Sequence, residues 1–189
     1  MTYSLKDLAW LLKKLEDYGL KGVIVGSTVI GLALGLKRFE GDVDIFVIEP
    51  SPLVYEDFYR EIAEKEGWEL GYTGLGTPRF VAVTPSGAEV TVEFYENIFD
   101  YYVPQGIIER SSEKVLGGVT LRFIRPEDYV VLKARAAREG DVEDLRTIAG
   151  QVRAGRLRLD RRLIKEALGM MPEEEQGFIR NKLREVGIL

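Results

Sequence analysis

The most informative feature of this sequence is a pair of aspartates, Asp42 and Asp44, at the start of an otherwise apolar segment. The segment reads Asp-Val-Asp-Ile-Phe-Val, and this pattern predicts a β-strand over residues 43–48. Side chains alternate between the faces of a strand, so the two carboxylates point the same way, roughly 7 Å apart along the chain. Their repulsion contributes nothing to folding, and a divalent cation would remove it. We therefore expect Mg²⁺, or Mn²⁺, at this strand.

The missing residue types narrow the chemistry further. The chain of 189 residues contains no Cys and no His. This excludes thiol and Ser–His–Asp nucleophiles, and zinc sites built on imidazole or thiolate. Catalysis would have to use carboxylates, hydroxyls, Lys, Arg and a hard metal ion. No apolar run approaches the ~18 residues of a membrane span, so we expect a cytoplasmic protein without a membrane partner.

Charge is distributed unevenly along the chain. The net charge is −5, but residues 1–104 carry −8 and residues 105–189 carry +3. This balance argues against a protein that coats nucleic acid. A basic run around Gly155 could bind RNA phosphates, although we favour a solvated junction between helices. The scarcity of Asn and Gln fits a thermophilic source.

The order of the predicted elements indicates an α+β fold. Strands are predicted over 22–25, 43–48, 68–72, 79–84, 89–95 and 120–124, and helices over 4–18, 28–36, 54–66, 126–139, 141–152, 160–168 and 172–186. This order begins with strand–helix–strand–helix, continues with a meander of strands and ends with helices. It predicts a mixed β-sheet with helices on one face and a C-terminal helical segment. Because no Pro/Gly/Ser-rich linker precedes Pro126, we expect residues 1–125 to form the core and 126–189 to pack on it as one compact domain.

A third carboxylate is predicted on another strand. Residues 89–95 alternate, with Glu89, Thr91, Glu93 and Tyr95 on the polar face. If this strand neighbours the aspartate strand, Glu93 or Glu89 would join Asp42 and Asp44 on the shared face. Three carboxylates around a pair of hard cations suit phosphoryl transfer by two metal ions. The alternative for Glu93 is an ordinary solvated strand residue.

The turn at Gly26 and Ser27 is a candidate phosphate site. It follows a strand and opens a helix, so its N–H groups, the positive end of the helix and the Ser27 hydroxyl could hold a phosphate. The alternative is that Ser27 or Thr28 simply caps the helix. The interpretation of the turn as a phosphate site is strengthened because Asp42 and Asp44 follow one helix later.

These motifs resemble the nucleotidyltransferase fold of the DNA polymerase β superfamily. The resemblance covers about residues 22–150. It consists of the Gly-Ser turn, its helix and Arg38-x-Glu40-x-Asp42-x-Asp44. A second part is similar to the Pro-Glu-Asp helix pair that follows the sheet in small prokaryotic members, with Pro126-Glu127-Asp128, Lys133, Arg138, Asp141 and Asp144.

The resemblance implies a role for each matching residue. Asp42, Asp44 and Glu93 would be the metal ligands and the catalytic carboxylates. Gly26 and Ser27 would hold the triphosphate, and Lys133 would reach it from its helix unless it is a surface lysine whose stem lies on apolar neighbours. We expect Arg38 to brace the nucleotide site, and we interpret Asp141 and Asp144 as structural charges at a helix start.

The sequence therefore predicts a metal-dependent nucleotidyltransferase. It would transfer a nucleoside monophosphate from a nucleoside triphosphate, ATP by default, to a hydroxyl on a protein, an RNA or a small molecule. The competing hypothesis is a non-catalytic binding or antitoxin-like protein with the same fold. Glu40 in place of the usual Thr, and Glu93 where Asp is commoner, motivate this alternative.

Overall fold

The computed structural model describes residues 2–189, and its elements confirm the α+β class. The strands are β1 (Thr2–Ser4), β2 (Lys21–Ile24), β3 (Arg38–Glu40), β4 (Val43–Glu49), β5 (Glu69–Tyr72), β6 (Pro78–Val83), β7 (Glu89–Tyr95), β8 (Ser112–Leu116) and β9 (Val119–Phe123). The helices are α1 (Leu5–Asp17), α2 (Thr28–Ala33), α3 (Glu56–Glu66), α4 (Gln105–Glu109), α5 (Pro126–Ala136), α6 (Glu139–Arg153), α7 (Arg161–Gly169) and α8 (Glu173–Glu185). None of the helices in this part of the chain is long and apolar enough to cross a membrane.

Seven strands form one mixed sheet in the order β5-β6-β7-β4-β2-β9-β8. β4 pairs in parallel with β7 and antiparallel with β2, and β2 is parallel to β9. The remaining neighbours are antiparallel hairpins, including β6–β7, whose strands were predicted at 79–84 and 89–95. β1 and β3 pair separately as a two-stranded ribbon. The aspartate strand β4 therefore lies inside the sheet, between β7 and β2.

The contacts divide the chain into two compact units. The first comprises residues 2–102 with Ser111–Phe123, and the second comprises Val103–Arg110 with Ile124–Leu189. The first unit contains the sheet and α1–α3. The second contains α4–α8. The predicted division at residue 125 and the packing of the C-terminal helices on the core stay predictions.

Aromatic side chains fill one side of the sheet in the first unit. Phe80 and Phe94 are fully buried, and their ring centroids are 4.9 Å apart. Tyr59 of α3 packs on both of them. Trp10 of α1 meets Trp68 edge to face at 6.1 Å, and Trp68 also contacts Phe80. α1 and α3 therefore cover this side of the sheet, which agrees with the helix layer predicted from the order of the elements.

A buried carboxylate fixes the start of α1. Ser4 is the N-cap, and the backbone N–H and the hydroxyl of Ser4 donate to Asp7 at 2.8 and 2.6 Å. Thr84 and Ser86, at the β6–β7 turn, donate their hydroxyls to the other Asp7 oxygen at 2.9 and 2.7 Å. Burial raises the pKa of Asp7, but these hydrogen bonds outweigh it and lower the pKa to about 2. The network ties α1 to the hairpin.

The second unit is organised around a buried ion pair. Asp128 of α5 is fully buried, and the Arg110 guanidinium that follows α4 binds it in a bidentate fashion. Arg110 also donates to the Leu163 carbonyl at 3.2 Å and to Glu166 of α7 at 2.9 Å. Burial raises the pKa of Asp128, and the hydrogen bonds from Arg110 offset part of that rise. One arginine thus joins α4, α5 and α7.

Four short elements were not predicted from the sequence, namely β1, β3, α4 and β8. β1 and β3 have three residues each and stabilise one another, because Tyr3 stacks on Phe39 with ring centroids 5.6 Å apart. β8 reads Ser-Glu-Lys-Val-Leu, a polar edge strand without a clear apolar face. α2 ends at Ala33 rather than at residue 36. The strands β1, β3 and β8 depend on partner strands that local patterns do not reveal, whereas α2 ends locally, because Gly35 adopts the left-handed conformation (φ +70°) directly after the C-cap Leu34.

Candidate functional site

The structure brings Asp44 and Glu93 side by side. They are register partners on the parallel strands β4 and β7. Neighbouring strands are about 4.8 Å apart, so the two side chains leave the sheet next to each other. Both side chains are partly buried, and that of Glu93 is 15% exposed. This pairing supplies the shared polar face that the sequence predicted.

The other acidic candidates lie at different distances from this pair. Asp42 is exposed and lies just outside β4, two positions before Asp44. Glu89 pairs with Val83 at the opposite end of β7 from Glu93. Four residues of strand place Glu89 about 13 Å from Glu93. Of the two alternatives left open by the sequence, Glu93 is the one beside Asp44.

The glycine turn lies directly against Asp44. The Val25 N–H donates to the Asp44 carbonyl at 2.9 Å, which holds the end of β2 against β4. A Cβ atom at Gly26 would lie 1.8 Å from the Asp44 Oδ2 atom and 2.6 Å from its Cγ. Only a residue without a side chain fits here. Close approach to the carboxylate, and not merely turn flexibility, therefore requires the glycine.

The side chains that follow Gly26 do not cap α2. Ser27 occupies the N-cap position, is exposed and makes no side-chain capping hydrogen bond. The Thr28 hydroxyl is instead 3.0 Å from the hydroxyl of the buried Tyr3. Neither residue therefore caps α2 with its side chain. The Ser27 hydroxyl is not used in capping.

Tyr3 is a site residue that sequence reasoning missed. It belongs to β1, yet its hydroxyl lies within electrostatic range of Asp44 and Asp42. Burial is the main cause that raises the pKa of Tyr3 to about 12, and the two aspartates add to it. The hydroxyl is therefore a neutral donor near neutral pH. No local signal in the first residues of the chain indicates this role.

Glu93 is held by two further residues that were not predicted. The Tyr95 hydroxyl donates to Glu93 Oε2, and Arg79 Nη1 lies 4.0 Å from Oε1. Burial and the hydrogen bond to Glu93 raise the pKa of Tyr95, and its ring stacks on Tyr101 at 4.7 Å. Arg79 Nε is buried without a hydrogen-bond partner among residues 2–189. The alternation of residues along β7 placed Tyr95 on the same polar face as Glu93. This was the sequence signal that could have identified Tyr95 as a site residue.

The acidic side chains do not converge on one point. Within the described part of the chain, no group of three or more acidic side chains is close enough to hold a metal ion. Glu93 is turned toward Tyr95 and Arg79, which offsets the repulsion between Glu93 and Asp44. The donor chemistry still fits a hard cation, because Asp44 and Glu93 are register partners on adjacent strands and Asp42 directly precedes β4.

Arg38 and Lys133, the two cations predicted to contact the nucleotide, have different surroundings. Arg38 is exposed on β3, opposite Ser4. Lys133 of α5 donates to Asp141 at 2.7 Å and to Asp144 at 2.8 Å, and these contacts raise its pKa although burial lowers it. Asp141 also accepts from the Arg138 backbone N–H at 3.2 Å, which confirms its predicted role at the start of α6. The Lys133 ammonium thus joins α5 to α6.

Comparison with known proteins agrees with the fold. The order and pairing of the strands are those of a nucleotidyltransferase-like fold. The chain belongs to the family described as "Nucleotidyl transferase of unknown function (DUF2204)", which matches residues 4–185. No curated protein matches the sequence.

Two solved structures resemble the chain at low sequence identity. One is an antigenic nucleotidyltransferase-like protein from Paracoccidioides brasiliensis, with 15% identity, a TM-score of 0.58, and coverage of 98% of this chain and 91% of that one. The other is the antibiotic-resistance factor ANT(2'')-Ia, with 18% identity, a TM-score of 0.48, and coverage of 95% and 90%. At such identities the first likeness shows the fold alone, and it confirms the resemblance predicted from the motifs.

Proposed function

We propose that this protein transfers a nucleoside monophosphate from a nucleoside triphosphate, by default ATP, to a hydroxyl acceptor. The observation that carries the proposal is the pairing of Asp44 with Glu93, with Gly26 packed against the Asp44 carboxylate. Membership of a nucleotidyl transferase family supports the same reaction type. The acceptor would be a protein, an RNA or a small molecule.

Asp42, Asp44 and Glu93 would hold the divalent ions, Mg²⁺ or Mn²⁺. Nucleotidyltransferases generally use such ions, which activate the acceptor hydroxyl and neutralise the leaving pyrophosphate when bound. Because the chain has no His or Cys, Asp44 or Glu93 would also accept the proton of the acceptor hydroxyl. Glu93 would first have to give up the hydrogen bond from Tyr95.

The triphosphate would lie at the Gly26–Ser27 turn. The exposed Ser27 hydroxyl is not engaged in capping, so it can donate to a phosphate oxygen. Arg38 would brace this region as an exposed cation. A nucleotide contact by Lys133 stays a prediction, and it would require the ammonium to leave Asp141 and Asp144.

A second candidate function is a non-catalytic protein with the same fold. The hydrogen bond that Glu93 accepts from Tyr95, together with Glu93 where Asp is commoner and Glu40 in place of the usual Thr, favours it. Such a protein would bind a nucleotide or a partner without transferring a phosphoryl group. Incubation with α-labelled nucleoside triphosphates and host lysate separates the two, because label on any macromolecule or small acceptor rejects the non-catalytic candidate.

The direct test is metal-dependent ATP binding by wild type and Asp44→Asn, measured by titration calorimetry with and without Mn²⁺. We expect the wild type to bind ATP only with metal, and the variant to bind about 10- to 100-fold more weakly. The matched control is Asp17→Asn, because the Asp17 side chain is 57% exposed on α1 and paired with Lys13. Equal affinity in wild type and Asp44→Asn, without metal dependence, would contradict the proposal.

A further inference from the structure

A concentrated patch of positive charge lies in the second unit, where α6 ends and α7 begins. Residues 146–165 contain seven basic residues and one acidic residue in a chain whose net charge is −5. We name this arginine patch by its members: Arg146, Arg153, Arg156, Arg158, Arg161, Arg162 and Lys165, all of which are exposed. The proposed transfer reaction assigns no role to it.

Most of this charge is not neutralised within the chain. In residues 2–189, Arg153, Arg156, Arg158 and Arg161 form no ion pair or hydrogen bond through their side chains. The acidic residue of the segment, Asp160, is already used, because it accepts from the Arg162 N–H at 2.8 Å and pairs with the Arg162 guanidinium at 3.0 Å. These four arginine side chains are therefore available to bind a negatively charged ligand.

The placement of the charge is unfavourable for the fold. Arg161 and Arg162 are the first residues of α7, and the first turn of that helix has no acidic residue. Cations at a helix N-terminus oppose the helix dipole and cost a few tenths of a kcal/mol each. The folded chain gains no contact from Arg161 in return. A ligand that carries negative charge would compensate this cost.

The chemistry of the patch favours a phosphate backbone. Six of its seven members are arginines, whose planar guanidinium groups bind phosphate in a bidentate fashion. Residues 146–165 contain no aromatic side chain, so bases could not stack there, and recognition would be of shape and charge. No large apolar side chain of this segment is exposed, which disfavours insertion into a lipid surface.

We propose that the arginine patch binds the phosphate backbone of a folded RNA and that this RNA is the acceptor of nucleotide transfer. The acceptor role rests on the proposed function, whereas the binding role does not. The backbone would be held without reading its sequence. Among the three acceptor classes considered above, RNA is the one that carries a phosphate backbone.

The test uses the full chain and a fluorescent 30-nucleotide RNA hairpin with a single-stranded 3′ end, without metal or nucleotide. Fluorescence anisotropy would be recorded for wild type and for Arg156→Gln/Arg158→Gln/Arg161→Gln over a range of salt concentrations. We expect the variant to bind at least about tenfold more weakly and the slope of log K against log salt to fall by roughly two. The matched control, Lys6→Gln/Lys65→Gln/Arg180→Gln, removes three exposed cations elsewhere and should bind like the wild type.

Three results would overturn the proposal. These are absence of hairpin binding by the wild type, equal loss of binding in both triple variants, and patch-dependent binding to phosphatidylserine vesicles without binding to RNA. Melting temperatures of the variants confirm that they fold. Because the assay contains no metal and no nucleoside triphosphate, Asp44→Asn should bind the hairpin like the wild type, so failure of the transfer reaction and failure of the patch are distinguishable.

Discussion

At the scale of single residues, the contact between Gly26 and Asp44 makes the sharpest prediction. In Gly26→Ala the new Cβ would overlap Asp44 Oδ2, so β2 and β4 must separate or the carboxylate must rotate. We expect a loss of about 1–3 kcal/mol in the free energy of unfolding, together with loss of metal-dependent ATP binding. Denaturant melts and calorimetry measure the two effects. The control is Gly74→Ala, because a Cβ atom at Gly74 meets nothing within 4 Å. A Gly26→Ala variant with the stability and the ATP binding of the wild type would contradict this geometry.

The hydrogen bond between Tyr95 and Glu93 leads to a second residue-scale prediction. Tyr95→Phe removes the donor but keeps the ring that stacks on Tyr101. Because Glu93 would no longer have to break this bond, we expect Mn²⁺ to bind severalfold more tightly, and the fold to be destabilised by about 1 kcal/mol. Manganese binding followed by electron paramagnetic resonance gives the affinity directly. Weaker Mn²⁺ binding in Tyr95→Phe would mean that the tyrosine supports the metal-bound state instead.

Asp7 makes stability depend on pH in the acid range. Its folded pKa of about 2 lies below the ordinary value of 3.8, so the network stabilises the fold when the carboxylate is charged. That stabilisation is complete above pH 3.8 and is lost as the pH falls through 2. Asp7→Asn should lose roughly 1–3 kcal/mol at pH 7 and show a flatter dependence between pH 4 and 2. Urea melts across this range check it, and parallel pH profiles for the two proteins would exclude the network as the cause.

At the scale of elements, the buried pair of Arg110 and Asp128 holds α4, α5 and α7 together. Arg110→Met would leave the Asp128 carboxylate buried without its cation, at a cost of about 3–5 kcal/mol. Burial would then raise the pKa of Asp128 further, so the defect should be smaller near pH 4 than at pH 7. Arg60→Met is the control, because its ion pairs with Glu56 and Asp57 are exposed and screened by solvent, so their loss should leave the free energy of unfolding nearly unchanged. Chemical denaturation of both variants at the two pH values distinguishes them.

How much of each element could be predicted depended on where its stabilising partners lie. β7 was predicted with its observed limits because its alternating residues carry the whole signal, and α3 ends at residue 66 as predicted, because Gly67 adopts the left-handed conformation. β1 forms only by pairing with β3, more than thirty residues away. The pairing of Asp44 with Glu93 was conditional on strand order, which sequence patterns do not fix. Tyr3 reaches the site through that same non-local ribbon, so no local pattern could reveal it.

At the scale of the whole molecule, the chain crosses between its two units more than once, which limits where it can be cut. A fragment of residues 1–125 keeps α4 but lacks α5 and α7, which hold it through Arg110. Its buried residues Ile107 and Ile108 would become exposed. We therefore expect the fragment to aggregate or to melt without cooperativity, as differential scanning calorimetry would show. A soluble fragment with one cooperative transition and full ATP binding would contradict this, and would also remove Lys133 from the nucleotide site.

The contact between Trp10 and Trp68 has a practical consequence for such experiments. These are the two tryptophans of the chain, and both belong to the first unit. Tryptophan fluorescence is therefore an optical reporter of the sheet and its covering helices, whereas α4–α8 contain no tryptophan and are followed through the circular dichroism signal. Recording both signals in one thermal scan asks whether the two units unfold together. Coincident curves would indicate one cooperative molecule, and separated curves would reveal an intermediate in which only one of the units is folded.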